Sequence, residues 1–119
     1  MKKINDKNYH GLVNELGDDD HRVPEYLKQY EERGFDDTET WNLFMGITKY
    51  ILPRLIRFKE IPCGYPSNLT EDKWDTILQQ MIDAFELIKR DTFIPSKEDQ
   101  TIINLGLENF KEYFLDLWT

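Results

Sequence analysis

The chain has 119 residues, of which 39% are hydrophobic and 13% aromatic, and it carries 23 acidic against 15 basic side chains. This length suits one domain, and the composition is that of a globular protein rather than a disordered one. The net charge of −8 disfavours direct binding to nucleic-acid phosphates or to an anionic membrane, because both kinds of binding draw affinity from a basic surface.

The first forty residues predict a polar beginning followed by one short helix. We expect residues 1–20 to form a partly mobile segment with at most one turn of helix before Gly17. Pro24 suits the first turn of a helix, because its missing N–H would be unpaired there, and Gly34 suits the helix end. The short helix between these two residues should lie on the rest of the domain.

A longer helix is predicted next, in the stretch Trp41–Phe58. Its bulky apolar residues recur at steps of three and four, which is the spacing of one helical face. No other segment has as much apolar surface to bury, so we expect the remaining helices to pack on this one. Pro53 falls inside the repeat and predicts a kink, or a junction of two helices, between Lys49 and Pro53.

Two further helices are predicted after the loop at residues 61–70. Thr70 should cap a helix with an apolar stripe from Trp74 to Ile88, and Ser96 should cap a last helix from about Lys97 to Leu117. No segment alternates apolar and polar residues over the length of a strand. The predicted fold is therefore all-α, with residues 1–119 as a single helical domain. We expect a compact antiparallel bundle of three long helices and one or two short ones.

The sequence favours a cytoplasmic protein. Cys63 is the one cysteine, so no internal disulfide can form and a reducing compartment suits the chain. The N-terminal lysines are not followed by the apolar run of a signal peptide. No stretch approaches the ~20 apolar residues that a membrane-spanning helix needs.

Several sequence blocks occur in a specific order over about residues 35 to 119. They are Thr40-Trp41-Asn42-Leu43, Tyr50-Ile51-Leu52-Pro53-Arg54-Leu55, Arg57-Phe58-Lys59-Glu60, Gly64-Tyr65-Pro66, Leu69-Thr70-Glu71 with Trp74, Met81-Ile82-Asp83-Ala84-Phe85-Glu86-Leu87-Ile88, Gly106-Leu107, Phe110, Tyr113-Phe114 and Leu117-Trp118. In this order the blocks resemble an uncharacterised family of phage and prophage proteins. The resemblance implies a small accessory protein made inside an infected bacterium, and it brings no established activity.

One departure from that family concerns the residues after the Trp-x-Leu block. Members often have an acidic residue and a tyrosine there, whereas this chain has Phe44 and Met45. A role for that acid therefore does not carry over to this chain.

The candidate binding residues are Arg54, Arg57, Lys59 and Tyr65. Residues 41–62 carry four basic side chains and one acidic one, which makes this the one net-positive segment of an acidic chain. Arg54 and Arg57 are three residues apart and share a helical face, and Tyr65 follows in the adjoining loop. Together these residues could bind a phosphate or a carboxylate. Alternatively, the two arginines form ion pairs with acidic residues of the next helix, Asp83 and Glu86.

Paired carboxylates suggest an alternative, enzymatic function. Asp83 and Glu86 lie one helical turn apart, and Asp36 and Glu39 have the same spacing. All-α MazG-like nucleotide pyrophosphohydrolases hold Mg²⁺ with acidic pairs on neighbouring helices, where the ion activates water and neutralises phosphate charge. Capping of a helix accounts for Asp36 without a metal, so Asp83 and Glu86 are the metal ligands of this alternative.

The hypothesis favoured by the sequence is a noncatalytic binding protein with no metal and no cofactor. Its partner would be a host protein or another phage protein, with self-association through an exposed aromatic face as a compatible arrangement. An acidic protein of this size could act as an inhibitor or imitate nucleic acid. The alternatives are the Mg²⁺-dependent hydrolase and a binder of a nucleotide signal that uses Arg54 and Arg57.

Overall fold

The computed structural model describes residues 4–61, 64–90 and 94–118, so that Cys63 lies outside the described residues. The α-helices are α1 (Val23–Arg33), α2 (Leu43–Glu60), α3 (Glu71–Lys89) and α4 (Lys97–Tyr113). Short 3₁₀-helices lie at Val13–Glu15, Asp37–Thr40 and Phe114–Asp116. These described ranges contain no β-strand, which confirms the prediction of an all-α protein. None of their helices is long and apolar enough to cross a bilayer.

Three helix ends are formed by the residues that the sequence indicated. Gly34 follows α1 in the left-handed region, with φ of 85°, and its N–H donates to the Tyr30 carbonyl. The Thr70 hydroxyl accepts the N–H of Lys73 at the start of α3. Ser96 makes the equivalent cap of α4. Each cap pairs a backbone N–H or carbonyl that the helix itself leaves free.

Chain contacts divide the protein into two compact units, Met1–Ile47 and Thr48–Thr119. The apolar core of the first unit contains Ile4, Val13 and Val23, with several partly buried tyrosines and leucines around them. Ile4 and Val13 come from the segment for which we predicted partial mobility. That mobility and the single-domain organisation both stay predictions.

The core of the second unit is centred on α3. Its buried residues are Leu52 and Leu55 from α2, and Trp74, Leu78, Met81, Ile82 and Phe85 from α3. The central place that we predicted for the stretch Trp41–Phe58 is therefore wrong for this unit. Trp41, at the start of that stretch, is 53% exposed. Helix α3 takes the central place because it contributes five of the seven buried residues of this core.

Helices α3 and α4 pack against each other in antiparallel directions. The ring of Trp74 meets Tyr113 edge to face, with centroids 5.7 Å apart. Further along α3, Ala84 lies against Gly106 of α4. Residue numbers rise along α3 as they fall along α4, so the two helices run in opposite directions. The position of Gly106 agrees with the close approach that we predicted from its sequence.

A buried polar contact links the same pair of helices. The Asn109 side chain is buried, and its Nδ2 donates to Oε1 of Gln80 at 2.5 Å. A buried amide without a partner would cost free energy, so this hydrogen bond favours the observed alignment of α3 and α4 over one that separates the two side chains.

Helix α2 continues through Pro53 as one α-helix of 18 residues. The structure thus contains one helix where we considered a junction of two. A proline in this position still removes one backbone hydrogen bond and crowds the preceding turn. The kink itself stays a prediction.

Candidate functional site

The candidate site is a cavity of about 180 Å³ in the second unit, beside Tyr65. Three segments line it: the end of α2, the loop at Gly64 and Tyr65, and the first two turns of α3. The lining residues are Phe58, Lys59, Glu60, Ile61, Gly64, Tyr65, Glu71, Trp74, Asp75 and Leu78. Both of the binding residues that we predicted nearest to this loop, Lys59 and Tyr65, are among them.

The start of α3 explains how acidic and aromatic side chains reach the same cavity. Thr70 caps the helix, so Glu71 occupies its first position and Asp75 follows four residues later on the same side. Trp74 also lines the cavity, although most of its side chain is buried in the core. The cavity therefore has an apolar wall formed by Trp74 and a charged edge formed by the two carboxylates.

The charges around this cavity are unequal. Glu60, Glu71 and Asp75 provide three carboxylates, and Lys59 provides one ammonium group. Within the part of the chain that the structure describes, none of these four side chains takes part in an ion pair. The edge of the cavity thus has a net negative charge that basic side chains of the second unit do not neutralise by direct contact.

A second cavity, of about 150 Å³, is lined in part by the same loop. Gly64, Tyr65, Pro66, Asp116 and Trp118 line it. Tyr65 is 49% exposed and Trp118 is 73% exposed. Because Gly64 and Tyr65 line both cavities, the two form one adjoining region, which we call the Tyr65 region.

The two predicted arginines are not among the residues that line the Tyr65 region. The Arg54 guanidinium donates to the Tyr50 carbonyl at 2.8 Å and lies 3.9 Å from the centroid of the Tyr50 ring. Arg57 is exposed on the same helix. The structure thus brings Lys59 and Tyr65 together at one cavity and does not place Arg54 and Arg57 in its lining.

The acidic pair of α3 is exposed. Asp83 accepts a hydrogen bond from Nε2 of Gln79 at 2.8 Å, on its own helix. Within the described ranges, neither Asp83 nor Glu86 forms an ion pair, so the alternative of bridges to Arg54 and Arg57 is not what the structure shows. Arg54 instead contacts Tyr50 on its own helix. No group of three potential metal ligands occurs among the residues described.

The other acidic pair caps a helix in the first unit. Asp36 is fully buried and accepts hydrogen bonds from the backbone N–H of Thr38, the Thr38 hydroxyl and the Tyr9 hydroxyl. The Glu39 side chain accepts the Asp36 N–H at 2.8 Å, which completes a capping box. Burial and the bond to Asp36 raise the pKa of Tyr9 to about 12. Capping therefore accounts for Asp36 and Glu39, as the sequence suggested.

Sequence reasoning missed Glu71, Asp75 and Trp118 as residues of the site. The spacing of four between Glu71 and Asp75, on either side of Trp74, was a usable signal for a charged edge beside an aromatic wall. Trp118 had no such signal, because its place beside Tyr65 depends on tertiary folding. Comparisons with protein-family models, with curated proteins and with solved structures gave no match to this chain.

Proposed function

We propose that the chain is a small noncatalytic binding protein of a phage or prophage, which acts in the bacterial cytoplasm by binding a host or phage protein. The observation that carries this proposal is the Tyr65 region, where two adjoining cavities flank an exposed tyrosine and tryptophan. Tyrosine and tryptophan are enriched in protein interfaces because they bury a large area with few rotatable bonds.

The charge of the chain supports a basic partner surface. With −8 overall, the protein should approach positively charged surfaces faster than neutral ones. A groove that normally holds nucleic acid is such a surface, and occupying it would make the protein an inhibitor that imitates nucleic acid. Self-association is less favoured by this argument, because two copies of an acidic chain repel each other.

Two architectural predictions belong to the same proposal. The helices would form the compact antiparallel bundle predicted from the sequence, and Pro53 would bend α2. Such a bend would turn Arg54 and Arg57 outward, where they could form further contacts at the edge of a partner.

Site-specific photo-crosslinking in bacterial cells tests the proposal. A photoreactive amino acid replaces Tyr65 or Trp118, and a control replaces Ile94, which is 78% exposed but lines neither cavity. We expect the same protein to be cross-linked from positions 65 and 118 and not from position 94. The purified partner should then bind Tyr65→Ala at least about fivefold more weakly than the wild type, as expected for a contact worth about 1 kcal/mol or more. Equal cross-linking from all three positions would contradict the proposal.

Thermal unfolding tests the alternatives on the same preparation. The Mg²⁺-dependent hydrolase and the nucleotide-signal binder both require a ligand that stabilises the native state. Such a ligand adds ~2.7 kcal/mol at a hundredfold excess over its dissociation constant. A rise in the unfolding midpoint with nucleotide that needs Mg²⁺ and disappears in Asp83→Ala would favour the hydrolase. A metal-independent rise that disappears in Arg54→Ala would favour the nucleotide-signal binder.

A further inference from the structure

We infer that the cavity bordered by Glu71, Asp75 and Tyr65 receives an arginine or lysine side chain of the partner protein. This inference rests on the proposed function and specifies the chemistry by which the partner is recognised. The size of the cavity, its charge and its aromatic edge support it.

The size of the cavity fits the end of one basic side chain. Its volume is about 180 Å³. An apolar protein cavity of roughly 150 Å³ accommodates benzene, so a planar guanidinium with part of its alkyl stem is of suitable size. Ile61, which is 39% exposed, and the partly buried Phe58 line the cavity and provide apolar surface for the methylene groups of the stem.

The charge of the lining selects a cation. The lining contains three carboxylates and one ammonium group. Among the described residues, none of these four groups has an ion-pair partner. Glu71 and Asp75 lie one helical turn apart, so a fork-shaped guanidinium could donate to both of them. A phosphate or carboxylate would instead be repelled by the three carboxylates.

The aromatic edge adds a second attraction for a cation. Tyr65 is half exposed, which leaves part of its ring available beside the carboxylates. Arginine and lysine are attracted to the negative face of such a ring. The chain itself shows this contact elsewhere, where the Arg33 guanidinium lies 4.5 Å from the centroid of the Phe35 ring.

Lys59 allows a cationic occupant to be distinguished from an anionic one, because its charge is opposite to that of the carboxylates in the same lining. If a cation occupies the cavity, removing the Lys59 charge should strengthen binding. Our sequence prediction was that Arg54, Arg57, Lys59 and Tyr65 bind a phosphate or a carboxylate. If an anion occupies this cavity, the same change should weaken binding. The sign of the effect of Lys59→Met therefore separates the two occupants.

The experiment follows backbone amide signals by NMR while the whole protein is titrated with N-acetyl-arginine amide. N-acetyl-citrulline amide, which has nearly the same shape without the charge, is the control ligand, and inorganic phosphate is the anionic probe. The variants are Lys59→Met and the double variant Glu71→Gln with Asp75→Asn. Asp72→Asn is the matched control, because Asp72 is an exposed carboxylate of the same helical turn that does not line this cavity.

We expect saturable shifts at Gly64, Tyr65 and Asp75 with the arginine probe and none with the citrulline probe. The double variant should raise the Kd about fivefold to tenfold, as expected for two partly exposed ion pairs, whereas Asp72→Asn should change it by less than about twofold. Lys59→Met should lower the Kd.

Three results would overturn the inference: equal binding of the citrulline probe, no saturable shift with the arginine probe, or phosphate binding that Lys59→Met abolishes. Cross-linking from positions 65 and 118 tests the proposed function independently of these titrations. A cross-linked partner together with failure of the arginine probe would reject the cation and keep the proposed function. Failure of the cross-linking alone would reject the function.

Discussion

Replacing Gly106 with alanine should destabilise the protein, although the same change stabilises most helices. A Cβ at this position would lie well inside contact distance of the Ala84 methyl group and the Gln80 carbonyl oxygen, and 3.3 Å from the Gln80 carbonyl carbon. None of these atoms belongs to the end of a flexible side chain, so α3 and α4 would have to separate.

The expected size of this effect follows from two opposing terms. Alanine gains up to ~1 kcal/mol over glycine in helix propensity. Overpacking of a tightly packed interface costs about 1–3 kcal/mol. The second term dominates because backbone atoms form part of the obstruction. We therefore expect Gly106→Ala to lower the free energy of unfolding by about 1–2 kcal/mol.

Urea unfolding followed by helical circular dichroism measures this change. Gly64→Ala is the matched control, because no atom of the described residues lies within 4 Å of a Cβ added at Gly64. A double-mutant cycle with Ala84→Gly tests the cause, since removing the Ala84 methyl should reduce the penalty of Gly106→Ala. A Gly106→Ala protein as stable as the wild type, or a penalty unchanged by Ala84→Gly, would refute the reasoning.

Three further predictions concern buried or capped polar groups. Asp36→Asn should lower the free energy of unfolding by about 1–3 kcal/mol, because it disturbs three hydrogen bonds of a buried carboxylate. Asp37→Asn, which removes one partner of an exposed ion pair, should lower it by less than about 1 kcal/mol in the same urea titration. The pKa of Tyr9 is about 12 in the folded protein and 10.0 ordinarily, so the unfolded chain loses this proton first and stability should fall between about pH 10 and 12. Urea titrations across that range should show a shallower fall in Tyr9→Phe, and an identical slope would contradict the prediction. Asn109→Ala should cost about 1–2 kcal/mol by removing the bond to Gln80, and a Gln80→Ala change that is additive with it would disprove the coupling.

Local sequence signals predicted the helical fold well. Thr70, Ser96 and Gly34 act on backbone groups within four residues, so their effect can be read from the chain alone. The end of α4 was less predictable. The apolar repeat continues to Leu117, but the helix ends at Tyr113 and the chain tightens into a 3₁₀ turn.

Tertiary arrangement was predicted less well than local structure. The apolar repeat of α2 reads as one face, yet Phe44 and Ile47 are more than half exposed while Leu55 is buried. The sequence pattern indicates which residues share a face and not which neighbour covers it. For the same reason Lys59 and Tyr65 were identified as site residues, whereas Trp118, which is distant in sequence, was not.

The capped cluster around Asp36 has a consequence for amide hydrogen exchange in the first unit. The Leu12 N–H donates to the Thr38 hydroxyl at 2.9 Å, and the Val13 N–H donates to the Tyr9 hydroxyl at 3.2 Å. Neither amide donates to a carbonyl within a helix. Each is therefore protected from solvent deuterium only while its side-chain acceptor stays in place. The exchange rates of these two amides therefore measure how often the cluster opens, at positions where regular secondary structure provides no protection.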